Sequence, residues 1–304
     1  MKINFWGVRG SIPAPGAATV KYGGNTPCVE LKINDTMFVL DAGTGIRDLG
    51  LDIIDRPKNG TIHLFITHPH WDHIQGLPFF MPAFYGNYQI DIFGYHSNDY
   101  NLEHMLTGQM DPQFFPVQMG DMNAMLNFRG LQEGTFYVND VQIDAMFLNH
   151  PGCTMAYRFS YGGKSIVYAT DNQPYAGGTT LGSWAVEEYF DRAHEDVFDS
   201  INLSVKDPDQ RIVEFSRGAD VLIHDAQYTP SEFAEKPDWG HSSYEYAAEV
   251  AMQAGVNSLV LFHHEPEHSD AMVNQIEVET RNLLAGHQQD IQCKAAFEGL
   301  ELMP

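Results

Sequence analysis

The segment Thr67-His68-Pro69-His70-Trp71-Asp72-His73 constrains this chain more than any other feature. It sets three imidazoles and a carboxylate within six residues, directly after the apolar, strand-like run His63 to Ile66. Neutral imidazole and ionised carboxylate are both in ligating form near pH 7, and together they suit Zn²⁺, with Mn²⁺ or Fe²⁺ as alternatives. His68 and His70, two apart, face the same way in extended backbone, whereas Asp72 and His73 follow a bend and can address a second point. The spacing leaves room for two metals.

Three later positions end strand-like runs. His150 follows the alternating run Val141 to Leu148 and precedes Pro151-Gly152, Asp171 ends Ser165 to Thr170, and His263 ends Ser258 to Phe262. A lone Asp at a strand end is ordinarily a turn former. His264 rivals His263, and since neighbouring strand residues face opposite ways, at most one of the two can ligate.

The pattern His-x-His-x-Asp-His at a strand end resembles the signature of the metallo-β-lactamase superfamily, and His68, His70, Asp72 and His73 match it completely. The resemblance implies an α/β fold, a four-layer αββα sandwich, with a two-metal hydrolytic site. One ion would be held by His68, His70 and His150, the other by Asp72, His73 and His263, with Asp171 between them; the family's Leu-x-Leu-x-His pattern favours His263 over His264. It also implies that the turn Asp41-Ala42-Gly43-Thr44-Gly45 lies beneath the site with Asp41 orienting a ligand, although the same residues read equally well as turn chemistry.

The carboxy-terminal third resembles the phosphodiesterase branch of that superfamily, which includes ribonuclease Z and cyclic-phosphate phosphodiesterases. The residues that carry this likeness are His224-Asp225-Ala226-Gln227-Tyr228 after Asp220 to Ile223, then Gly240-His241-Ser242, then the His263 strand. The resemblance implies catalytic roles for His241, as general acid or charge stabiliser at the phosphate, for Asp225, as its orienting partner, and for Asp72. Ser242-x-x-Glu245 reads as a capping box for a helix that runs to Gly255, whose positive end would lie beside His241. His224 faces away from Asp225 and reads as a structural histidine.

With 304 residues, 43% of them hydrophobic and no low-complexity linker, the chain reads as a single domain, 1–304. The stretches 97–130, rich in Met and Phe, and 177–199 leave open insertions serving as lid or dimer contact, but core packing is the preferred reading of the first and an amphipathic surface helix that of the second; a homodimer is left open. Neither a run of ~18 apolar residues nor a signal peptide at the amino terminus is found, so a cytoplasmic location and no membrane partner are expected. Cys28, Cys153 and Cys293 are too scattered for a disulfide framework or a cysteine zinc site. Arg9, in the glycine-rich stretch Gly7 to Pro13, could meet a phosphate, but a structural role is the preferred reading.

The balance of 17 Lys and Arg against 40 Asp and Glu, a formal charge of −23, predicts repulsion of a polyanion, and no basic arm is found. Long nucleic acid is therefore disfavoured, and the expected substrate is a small-molecule phosphodiester, a 3′,5′-cyclic nucleotide first. It would be opened by in-line attack of a hydroxide shared by two divalent metals, zinc first. The alternatives are a hydrolase of a carbon ester, thioester or lactam, a ribonuclease Z-like RNA-processing enzyme, and a non-catalytic metal-binding sensor.

Overall fold

Alternation along the strands decides the layering. The computed structural model describes residues 1–56, 60–97, 101–175, 209–288 and 290–304; the stretch 177–199 lies outside them. The first sheet takes β1 (Lys2–Gly7), β2 (Cys28–Ile33), β3 (Thr36–Leu40), β4 (Thr61–Phe65), β5 (Gln89–Tyr95) and β6 (Met125–Leu131). The second takes β7 (Gly134–Val138), β8 (Val141–Phe147), β9 (Met155–Tyr161), β10 (Lys164–Ala169), β11 (Val221–Asp225), β12 (Ser258–Phe262) and β13 (Gln292–Ala295). The short β14 (Glu301–Leu302) returns to pair with β1, so the orders are β14-β1-β2-β3-β4-β5-β6 and β13-β12-β11-β10-β9-β8-β7. β2 and β3 form the hairpin expected around Asn34-Asp35, with Ile33 opposite Thr36.

Phe38, Leu40 and Phe65 of the first sheet meet Phe159, Ile166, Tyr168, Ile223 and Phe262 of the second in one buried cluster. The residues between them turn outward. Val39, Leu64 and Ile66 pack beneath the first sheet with Ile46, Leu49 and Ile53 of α1 (Gly45–Asp55) and Leu106 of α3 (Leu102–Gly108), α2 being the single turn Trp71–Ile74. Val167, Leu222, Leu259 and Leu261 pack against α4 (Gln210–Ser216), α6 (Tyr244–Ala254) and α7 (Asp270–Gly286) on the far side, α5 being the short Pro230–Glu235. Helix, sheet, sheet and helix give the αββα sandwich that the sequence implied. Each fully buried aliphatic or aromatic side chain in these clusters contributes about 1.5–3 kcal/mol of transfer free energy.

In the stretch 97–130, Met110 and Met122 are buried beneath the first sheet, while Phe114 and Met125 are exposed. Among the described residues no helix is long and apolar enough to cross a membrane.

Candidate metal centre

The strands β3, β4 and β5 run parallel in one sheet and β10, β11 and β12 in the other, so their carboxyl ends gather along one edge of the sandwich. Ligands collect there for the reason usual in α/β sheets: the chain leaves each strand end through a loop that is free to vary. Asp41 follows β3, Thr67 and His68 follow β4, Asp171 follows β10, Asp225 ends β11 and His263 follows β12. Asp41, Asp171 and His263 have left-handed backbone, with φ of 60°, 56° and 61°. For residues other than glycine that conformation costs of order 1 kcal/mol, and here it recurs at the turns that carry the site.

Besides the group Asp171, Asp225, His241 and His263, two donor groups match the expected ligand sets. His68, His70 and His150 form one: His70 Nδ1 lies 2.9 Å from His68 Nε2 and 3.1 Å from His150 Nε2. Asp72, His73, His263 and Asp171 form the other, with Asp72 Oδ2 at 3.1 Å from His263 Nε2 and 3.3 Å from His73 Nε2. Asp171 lies between the groups. Its Oδ1 is 3.3 Å from the Nε2 atoms of His73 and His263, while its Oδ2 is 3.6 Å from those of His68 and His150.

Outward hydrogen bonds fix which nitrogen faces inward in three of the rings. Nδ1 of His73 donates to Asp41 Oδ2 at 2.8 Å, Nδ1 of His150 to the Gly240 carbonyl at 2.7 Å, and Nδ1 of His263 to Gln227 Oε1 at 2.8 Å. Each Nε2 is thereby left with a lone pair aimed at other acceptors, and the buried His73 Nε2 has no hydrogen-bond partner. Converging lone pairs and carboxylate oxygens repel unless positive charge lies among them, so this donor set fits divalent cations. Burial holds His68 and His150 well below the usual imidazole range, keeping both neutral. Burial alone would raise the Asp72 and Asp171 carboxyls, but neighbouring His73 and His263 hold both well below the usual range. At His73 burial works against a charge, yet Asp171, Asp72 and Asp41 overcome it and draw the group well up, which marks a point where positive charge is favoured.

Beside these groups His241 Nδ1 donates to Asp225 Oδ2 at 2.8 Å, and its ring stacks on His263 with centroids 4.9 Å apart. Burial pushes the imidazole down, but Asp225 more than reverses this and raises it. Asp225 is fully buried and is held by the backbone N–H groups of Gln227, Ser242 and Asn172.

Some expectations change on this geometry and others stand. The cap of α6 is Ser243, whose hydroxyl accepts from Tyr246 N, so Ser242 and Glu245 form no capping box; the Ser242 hydroxyl instead donates to the Asn172 carbonyl. Gly255 does end the helix, in left-handed conformation with φ 64°. Arg9 is fully buried and donates to the carbonyls of Gly23, Glu265 and His268, which makes it a brace between loops. His264 turns away from the site to the Ala296 carbonyl, and burial brings it down to about 3. His224 Nδ1 donates to the Asp225 carbonyl, but its Nε2 is buried without a partner, so it is only half satisfied.

Sequence reasoning assigned no role to Gln227, to Ser11, whose backbone N–H donates to Asp72 Oδ2 at 2.7 Å, or to the Gly240 carbonyl. Their contributions run through contacts across the fold, and no local pattern announces them. Two glycines make room for candidate ligands: a Cβ on Gly10 would enter the His263 ring, and one on Gly240, at φ +88°, would strike His150 Nδ1.

No family model matches the chain. Ribonuclease Z of Thermoplasma acidophilum is 28% identical over 298 residues, covering 90% of this chain and 89% of that protein. Ribonuclease Z of Lactococcus lactis subsp. lactis is 25% identical over 309 residues, covering 93% and 95%. Among solved structures, the metallo-β-lactamase fold protein YhfI from Bacillus subtilis aligns with a TM-score of 0.64 at 16% identity over 99% of each chain. Human tRNase Z, short form (ELAC1), aligns with a TM-score of 0.62 at 18% identity over 100% of this chain and 99% of that one. Likeness at these identities shows the fold.

The relatives overturn the exclusion of long nucleic acid, since proteins called ribonuclease Z align with this chain along nearly their whole length, and they lend no support to a small-molecule substrate. The formal charge of −23 is a sum over all the ionised side chains of the sequence. Exposed charges more than about 8–10 Å from a bound phosphate are largely screened at physiological ionic strength, so the sum does not describe the local field at the site.

Proposed function

We propose that this chain, a member of the metallo-β-lactamase superfamily in its phosphodiesterase branch, is a metal-dependent phosphodiesterase that acts on RNA, with a tRNA precursor as the first substrate to test. His68, His70 and His150 would hold one divalent ion, Asp72, His73 and His263 the other, and Asp171 would touch both. Imidazole with carboxylate suits zinc first, with manganese or iron accepted by the same donors. When bound, such ions neutralise charge building at phosphorus and bring the ionisation of water toward neutral pH. The donors come from both sheets, so the proposed catalytic unit spans the described chain.

The chain's own work is placement and proton transfer. The outward bonds to Asp41, Gly240 and Gln227 hold three imidazoles in one tautomer and one orientation. His241, with Nδ1 committed to Asp225, carries its transferable proton at Nε2, and Asp225 favours the protonated ring. That proton would pass to the oxygen leaving phosphorus, the role of a general acid. Asp225 acts through His241 as its positioning residue.

The single observation that carries phosphodiester chemistry is this buried His241–Asp225 pair, 2.8 Å apart, stacked on the ligand candidate His263. RNA as substrate is supported by the relatives. The test is cleavage of a tRNA precursor by the protein loaded with Zn²⁺ or Mn²⁺, with cyclic nucleotides as the comparison arm and His241→Ala as the blank. Site-specific cleavage that His241→Ala abolishes supports the proposal; turnover of a cyclic nucleotide with the RNA left intact overturns it.

A further inference from the structure

Trp71 and Trp239 are 77% and 63% exposed, and both adjoin residues of the candidate centre along the chain. Trp71 lies between His70 and Asp72, and Trp239 directly precedes Gly240. Their two segments meet at a single imidazole, since His150 Nε2 is 3.1 Å from His70 Nδ1 while its Nδ1 donates to the Gly240 carbonyl at 2.7 Å. Two exposed indoles thus leave the chain beside residues joined through His150. Trp239 is further braced by the Lys236 ammonium, 5.5 Å from its ring centroid and itself paired with Glu265 at 3.4 Å.

Among the described residues, several cations are already engaged. Arg47, Arg56, Lys164, Arg211, Arg217 and Arg281 each pair with a carboxylate, and Arg9 is buried on carbonyls. These seven are engaged rather than free for RNA phosphates, and Lys236, beside Trp239, is paired with Glu265 as well. Base stacking is the interaction that remains available, because every base has a π-face and aromatic platforms hold unpaired nucleotides without neutralising phosphates.

We propose that Trp71 and Trp239 stack unpaired bases on either side of the scissile phosphate, so that RNA is gripped mainly by aromatic platforms rather than by phosphate charge. This rests on the RNA reading of the centre. It restricts the substrate to RNA that is single-stranded at the cleavage point, since paired bases offer no free face.

The experiment measures steady-state cleavage of an RNA hairpin carrying a single-stranded 3′ extension by wild type, Trp71→Ala, Trp239→Ala and the two Trp→Phe variants, with metal content checked in each. Each alanine variant is expected to raise KM roughly 5- to 150-fold, the equivalent of about 1–3 kcal/mol for one stacked base. The phenylalanine variants should recover most of that loss, because a ring is kept. In chelator-treated protein a short single-stranded oligoribonucleotide should quench tryptophan fluorescence, less so in either alanine variant. The log–log salt slope of kcat/KM should be no steeper than about −2, given roughly −0.7 for each phosphate contacted on a single strand. Wild type that cleaves RNA while both alanine variants keep its KM and its quenching overturns the stacking proposal and leaves the RNA reading intact. Wild type that neither binds nor cleaves RNA overturns both.

Discussion

Asp41 accepts a hydrogen bond from His73 Nδ1 at 2.8 Å and so turns His73 Nε2 toward Asp72 and Asp171. The same carboxylate accepts from Thr67 N and Tyr168 OH, each at 2.8 Å, and is fully buried. Asp41→Asn keeps the volume but turns an amide N–H₂ toward groups that are themselves donors. Metal affinity should fall about 10- to 100-fold, as when a partner behind a ligating histidine is lost. Competition titration with a chelating dye reads this directly, and unchanged affinity would show that Asp41 only shapes its turn.

Because the donor groups cluster acceptors, the protein should be more stable with divalent ions than without. Zinc at a hundredfold excess over its dissociation constant should add about 2.7 kcal/mol, seen as a higher melting temperature that a chelator reverses. Asp171→Ala, which removes the carboxylate between the groups, should lose much of this response. Melting that ignores both zinc and chelator would count against the centre as a metal site.

His241→Ala should lower kcat roughly 10²- to 10⁴-fold with the metal content kept, the usual loss for a general acid. Asp225→Asn should lower it in the same direction but less, because the ring remains while its orientation and proton affinity suffer. If the metal content of His241→Ala collapses as well, the residue belongs to the ligand set, which its place near Asp171 and His263 also permits geometrically.

Gly240→Ala should damage the centre without touching any donor. A Cβ at that position meets His150 Nδ1, and φ of +88° is itself strained for an L side chain. A loss of about 1–3 kcal/mol in stability, together with weaker metal binding, is expected. Wild-type melting and metal binding would falsify the close fit of Gly240 under His150.

Away from the centre, Glu30 is a buried carboxylate that accepts from Arg56, Asn4 and Trp6. Burial pushes its carboxyl up, but these partners more than reverse it, and the group lies below its ordinary 4.5. A lowered folded value means that the stabilisation is present above about 4.5 and fades as pH falls through the folded value. Glu30→Gln should therefore cost about 1–3 kcal/mol near pH 7 and progressively less in acid. Denaturant melts of both proteins at pH 7 and below pH 4 provide the comparison, and a deficit independent of pH would assign the loss to packing.

Much of the strand pattern was legible as short apolar runs bounded by turn residues, as in Thr36 to Leu40 and Ser165 to Thr170, but only the packing shows that Phe38 and Val39, or Ile166 and Val167, serve opposite faces. The density of imidazole and carboxylate from His68 to His73 was legible too, since ligating chemistry belongs to side-chain type. The cap of α6 was misread because Ser242 and Ser243 are equivalent as sequence, and only the tertiary contact that commits the Ser242 hydroxyl to the Asn172 carbonyl separates it from the capping hydroxyl of Ser243. Net charge misled for a related reason, being a sum that carries no positions.

Taken alone, the sequence determined residue chemistry and local periodicity: an α/β chain with a dense donor cluster at one strand end. What tertiary structure decided is the meeting of His68 with His150, Asp171 and His263, which lie as much as 195 positions apart along the chain. It also decided which nitrogen points inward in three of the rings. Both depend on parallel strands ending at one edge and on hydrogen bonds closed through space, and a local pattern of residues cannot encode either.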